Sequence, residues 1–298
     1  MKTTLITFSL IIFLAADTGL NAQGFPEKYF PYGNVYITTL RNSAYPSAER
    51  LNGIIKGDKE YTYEENYSDS SVIVFIPKKL ESTEIVNFVF FFYGWMNSNY
   101  YTASTTDLII QFINSKKNAV LVFPAMAKFA PDSFEGNFKN TGVFNKYVAE
   151  LTDSLFEHSY IKSYSAGKII LCGHSGGYRP LVSVLKNGGV EENIAEIYLL
   201  DGLYDEVNVI FNWIKNTNGR IINVSTQNSS PLKNSGNLMR KLDKAGLQYI
   251  SSAEEDFQFA QYEVKGSIFL ETTVNHGAVL EKNLYRYLMM SSLNDISP

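Results

Sequence analysis

The sequence predicts an α/β fold, a mostly parallel central sheet with helices on both faces. Three observations lead there. Short, predominantly apolar segments such as 86–94, VNFVFFFYG, recur along the chain; amphipathic segments of helical period lie between them; and glycine or proline ends several of the apolar runs. A strand covered by helices on both sides has no polar face, so it reads as an unbroken apolar run and not as an alternation.

Taken in order, residues 26–70 are rich in Tyr, Asn, Ser and charge and read as edge strands and loops. Strands follow at 71–77 (SVIVFIP), 86–94, 118–124 (NAVLVFP), 168–173 (KIILCG), 195–200 (AEIYLL), 220–225 (RIINVS) and 267–272 (SIFLET). A helix is expected from about Thr106 to Ser115, with Leu108, Phe112 and Ile113 on one side. In 141–157 the residues Phe144, Val148, Leu151 and Leu155 recur at helical spacing. Further helices are expected through LVSVLKNGG, through 206–215 (Val207, Ile210, Phe211, Ile214), through NLMRKLDKAG, and at the end through Leu280, Leu284 and Leu288. The segment from Thr226 to Gly266 is longer than a plain crossover, and is read as a lid over the site or a surface excursion.

The chain has 298 residues, 45% of them apolar and 14% aromatic, enough for a full core. Residues 1–23 have the form of a cleavable secretory signal: Lys2, an apolar stretch from Leu5 to Ala16, then small and polar residues, with cleavage expected near Ala22 or Gln23. That stretch is shorter than the roughly 20 residues a membrane span needs. The remainder, 24–298, reads as one domain, secreted or periplasmic, with no stable membrane insertion. A net charge of −4 argues against nucleic acid, which needs a basic face. The single cysteine, Cys172, lies inside an apolar run and reads as a buried hydrophobe, which excludes an intramolecular disulfide. The three histidines, His158, His174 and His276, show no metal-ligand spacing, so neither a metal nor another cofactor is expected.

In Gly173-His174-Ser175-Gly176-Gly177 a serine sits between an apolar strand and an amphipathic helix. A strand that turns at once into a helix forces its apex residue into a strained conformation and presents the hydroxyl above the sheet, at a helix N-terminus that favours developing negative charge. Ser175 is therefore the candidate nucleophile. His158 ends a polar helix and reads as a solvated surface residue. His174 adjoins the serine, and neighbouring side chains on a tight turn point apart, which suits a pocket floor more than a base. His276, in a loop between the last strand and the last helix, is the candidate base.

With GHSGG and the late VNHG, the chain resembles the α/β-hydrolase family over nearly all of its mature length; the opening SVIVFIP…VNFVFFFYGW is similar to that of secreted esterases of this fold. The resemblance implies a serine hydrolase with Ser175 as nucleophile and His276 as base. It implies two oxyanion donors, the backbone N–H groups of Gly176 and Trp95. Two departures stand out. Tyr93-Gly94 replaces a His-Gly pair, and no carboxylate follows RIINVS. One strand earlier, Asp201 stands at the end of AEIYLL, and an acid there is a known variant of the fold; neighbouring parallel strands lie only about 5 Å apart. Asp205, at the start of the next helix, is the alternative acid, with Asn228 or a dyad with water beyond it. Arg179 is read as a structural ion pair, with Asp205 as a partner, or as a contact for a substrate carboxylate.

The expected reaction is hydrolysis of a carboxylic ester, on a small-molecule or polymer-derived acyl substrate, through an acyl-enzyme. A peptidase or amidase uses the same atoms, and a non-catalytic binding protein on the same scaffold is the reading from a different class. Aromatic residues in loops (Trp95, Tyr100, Tyr101, Phe129, Phe134, Phe138) are expected to line an acyl or aromatic pocket.

Overall fold

The computed structural model describes residues 20–21, 24–217, 219–259 and 266–297. The proposed leader lies outside the described residues, apart from Leu20–Asn21. The strands are β1 (Leu20–Asn21), β2 (Gly33–Thr39), β3 (Ile54–Lys56), β4 (Lys59–Tyr61), β5 (Ser71–Pro77), β6 (Val86–Phe92), β7 (Val120–Pro124), β8 (Ala166–His174), β9 (Ile194–Leu200), β10 (Arg220–Thr226), β11 (Tyr249–Ala253) and β12 (Ser267–Thr272). The helices are α1 (Asn99–Thr105), α2 (Leu108–Ser115), α3 (Val143–Glu157), α4 (Tyr178–Asn187), α5 (Val207–Asn216), α6 (Ser230–Ala245) and α7 (Asn283–Met289).

All strands but β3 and β4 form one sheet in the order β1-β2-β5-β7-β6-β8-β9-β10-β12-β11. From β7 to β11 every pairing is parallel, while β1, β2 and β5 pair antiparallel at one end. Strands β6, β8, β9 and β10 are therefore neighbours, and their carboxyl ends, with that of β12, share one edge. In such sheets this is where ligands bind.

Every residue of β6 is buried. Phe90 and Phe92 project to one side, where Phe90 meets Phe144 edge-on at 5.0 Å and Phe92 meets Phe138; Phe91 projects to the other, against Phe123. Two-sided burial is what the nearly unbroken apolar run encodes. The helices pack in two groups, α1, α2 and α7 in one and α3 to α6 in the other.

Five expectations change. The single helix at 106–115 is the shorter α2, preceded by a separate α1; the terminal helix is a 3-10 turn at Ala278–Leu280 followed by α7. The described part of Thr226–Gly266 is crossover helix α6 and edge strand β11, an extension of the sheet and not a lid. Phe138 is fully buried and packs against Phe144 and Tyr147, so it lines no pocket. His158 is half-buried, its Nδ1 bonded to the Ser154 carbonyl at 2.8 Å and its ring packed on Tyr36, which makes it a packing residue and not a solvated one.

Candidate active site

Strand β8 ends at His174 and helical turns begin at Ser175, leaving no loop between them. The chain reverses direction at the serine itself, which takes φ +53°, a left-handed conformation that costs a non-glycine residue about 1–2 kcal/mol. The turn is tight because helix α4 starts against β6: a Cβ at Gly177 would lie 2.2 Å from the Phe92 carbonyl oxygen. Only glycine fits there, and the result is a half-buried Ser175 at the sheet edge.

Asp201 follows β9 directly and is also left-handed, φ +46°, with its N–H bonded to the Val224 carbonyl at 2.8 Å. That bend turns a nearly inaccessible side chain, 1% exposed, toward β10. There the Thr226 N–H donates to Oδ1 at 3.0 Å and the Thr226 hydroxyl to Oδ2 at 2.9 Å. The third donor is His276, whose Nδ1 lies 2.6 Å from Oδ2. Burial pushes the Asp201 carboxyl upward, but the hydrogen bonds from His276 and Thr226 outweigh it and hold it below the ordinary range. Since an ionised carboxylate only accepts, Nδ1 of His276 carries a proton in this bond.

The His276 loop is shaped by Asn275, whose Oδ1 accepts from the N–H groups of Gly277 and Ala278 at 3.1 and 3.0 Å. The imidazole side chain is 43% exposed, open to a ligand from solvent. Its ring lies 4.6 Å from that of His174, the residue next to Ser175. Among the described residues no hydrogen bond joins Ser175 Oγ to the His276 ring. Such contacts are commonly long in unliganded enzymes and tighten with substrate.

The loop after β6 passes over the serine. A Cβ at Gly94 would lie 2.7 Å from the Ser175 Cβ, so backbone here approaches the hydroxyl as closely as sterics permit. The Trp95 N–H donates to no other group among the described residues. The Trp95 indole lies against Gly176 and is bonded through Nε1 to the Ser133 hydroxyl, while Lys56 Nζ stands 3.7 Å from the ring centre. Tyr93, in place of the expected histidine, is buried; its phenolic oxygen accepts from the Met126 N–H at 2.7 Å, joining this loop to the one after β7. Trp95, Tyr100, Tyr101 and Phe129 are exposed nearby, and Tyr101 and Phe129 meet edge-on at 6.2 Å.

Thus Asp201 and His276 are in direct contact and Ser175 is on the same edge. Asp205 is not part of the cluster: it is exposed and its Oδ1 accepts from the Glu206 N–H at 2.7 Å at the start of α5. Asn228 is exposed in the turn after β10. Arg179 faces Glu135 at 3.8 Å and not Asp205. Thr226 and Tyr204 escaped the sequence reading. Burial pushes the Tyr204 phenol upward, and the Ser175 hydroxyl beside it acts in the opposite direction. A hydroxyl residue ending the strand next to the acid is the signal that marks Thr226, once the strand order is known.

No protein-family model matches the chain, and neither does any curated protein. Solved structures do. A feruloyl esterase module from Clostridium thermocellum, complexed with sinapinate, is 12% identical and superposes over 89% of this chain and 91% of its own with a TM-score of 0.53. A ferulic acid esterase is 11% identical over 87% and 97%, TM-score 0.53. The fluorophosphonate-binding serine hydrolase F of Staphylococcus aureus is 9% identical over 88% and 100%, TM-score 0.52. Identities this low carry the fold alone.

Proposed function

From the α/β-hydrolase fold as premise, we propose that the protein is a serine hydrolase, secreted by its N-terminal leader, that cleaves carboxylic esters through an acyl-enzyme. Ser175 is the nucleophile, His276 the base and Asp201 the carboxylate that orients it. The observation that carries the reading is the hydrogen bond of 2.6 Å between His276 Nδ1 and Asp201 Oδ2 at the edge where Ser175 sits strained.

His276 Nε2 takes the proton of the Ser175 hydroxyl as Oγ attacks the acyl carbon. The resulting oxyanion is held by the N–H groups of Gly176 and Trp95. The same imidazole, now cationic beside Asp201, gives its proton to the leaving alkoxide. Water then attacks the acyl-enzyme with His276 again as base, releasing the acid and restoring Ser175. One oxyanion donor is worth about 3 kcal/mol of transition-state stabilisation. The exposed rings of Trp95, Tyr101 and Phe129 offer an apolar surface for the part of the substrate beyond the ester. No helix among the described residues is long and apolar enough to cross a membrane.

A panel of p-nitrophenyl acyl esters and peptide amides, assayed with wild type and Ser175→Ala, tests this. Ester turnover should fall by several orders of magnitude in the variant. Equal activity in both proteins rejects the assignment, and faster turnover of the amides would make the protein an amidase.

A further inference from the structure

His174 lies inside the glycine-serine turn, yet the reaction above gives it no role. Its side chain is buried, 7% exposed, and its Nε2 stands 3.0 Å from the backbone carbonyl oxygen of His276, a residue 102 positions away. A carbonyl only accepts, so Nε2 carries the proton and donates. The two imidazole rings face each other at 4.6 Å and 31°. The His276 ring is otherwise bonded at Nδ1, to Asp201, and its side chain is 43% exposed.

We propose that His174 is a positioning residue that ties the nucleophile turn to the loop of the base, through its Nε2–H bond to the His276 carbonyl and through ring contact. The inference rests on the reading of His276 as base. Its physical sense is geometric. Serine and base arrive on strands that are not neighbours, β8 and β12, separated by β9 and β10. A contact from the residue next to the serine sets the distance between them more directly than packing of the intervening strands. Burial keeps His174 uncharged, its titration lowered to about 4, so the group is a fixed neutral donor and not a second base.

Asparagine and glutamine separate this from a packing role, because an asparagine amide nitrogen falls near the position of Nδ1 and a glutamine amide nitrogen near that of Nε2. His174→Gln should stay within about threefold of wild-type kcat on p-nitrophenyl acetate. His174→Asn and His174→Leu should lose about tenfold or more in kcat with KM unchanged, as expected when an interaction serves the transition state alone. Fluorophosphonate labelling of Ser175 should slow in the same order. Equal losses in the Asn and Gln variants, or losses that appear in KM, would overturn the proposal; the Asn–Gln pair decides even if the Leu variant does not fold. Should Ser175→Ala leave turnover intact, the assignment of the site itself fails; should it abolish turnover while Asn and Gln behave alike, only the role of His174 does.

Discussion

Thr226 holds Asp201 with two donors at once, its N–H on one carboxylate oxygen and its hydroxyl on the other. The proposed acid thus comes from the end of β9 and its support from the end of β10, a strand that no carboxylate follows. Removing the hydroxyl with Thr226→Val should lower kcat about tenfold while leaving KM near wild type. Asp201→Asn should cost about 10³–10⁴ in kcat, because His276 then loses the partner that fixes its tautomer. Asp205→Asn should be nearly silent; a crippled Asp205 variant beside an active Asp201 variant would reverse the assignment.

Gly94→Ala should block the site with limited damage to the fold. The added methyl would meet the Ser175 Cβ at 2.7 Å. Overpacking of this kind costs about 1–3 kcal/mol of stability, but displacement of the loop by a fraction of an ångström should cut kcat/KM by about 10² or more. A variant that kept full ester turnover would show that this loop does not approach the reacting carbonyl.

Stability should fall on mild acidification because of His174. Its titration is lowered from 6.5 to about 4, chiefly by burial. The unfolded chain binds the proton first, so the contribution is whole above pH 6.5 and is lost as pH drops toward 4. It amounts to roughly 3 kcal/mol across that window. Asp201 acts lower: its carboxyl is held below the ordinary range, so its contribution is lost only below about pH 4. Urea titrations at pH 7 and pH 4.5 should show the first loss in wild type and much less of it in His174→Gln.

The amino-terminal edge of β9 and β10, opposite the site, offers a control in which activity and stability separate. Arg220 donates to Glu196 at 2.6 Å, and Glu196, 2% exposed, also receives the Tyr198 hydroxyl and the Ser292 N–H. Arg220→Met strands a buried carboxylate and should destabilise by about 3–5 kcal/mol. The kcat of the protein that remains folded should stay as in wild type.

N-terminal sequencing of protein exported from a cell checks the leader. A mature chain beginning near Ala22 or Gln23 is expected, and retention of Lys2 would refute it.

Much of the fold could be read directly. Strand β5 at Ser71–Pro77 coincides with its apolar run because proline ends it, and β6 needs no pattern beyond being apolar at every position but Asn87. Helix α1 escaped because Asn99–Thr105 buries Asn99, Thr102 and Ala103 in place of an apolar stripe; its surviving signal is Ser98, whose hydroxyl caps the Tyr101 N–H at 3.0 Å. Strand β11, YISSA, is a partly exposed edge strand with no buried residue to mark it. At the site, Ser175 and Asp201 each directly follow a recognisable strand, and His276 lies in the short loop between the last strand and the last helical turns. Thr226 and the His174–His276 contact depend on which strands are neighbours, and one chain read linearly does not contain that information.

Ser175 and Asp201 both carry left-handed backbones that glycine would adopt freely. Each is held there against its own preference by the strands on either side. Selection for heat resistance alone, blind to turnover, should therefore favour Ser175→Gly among early gains, whereas Asp201 is kept by the three donors its carboxylate receives. The proposed nucleophile is among the first residues such a screen would discard, and variants it enriches should be sturdier and inert.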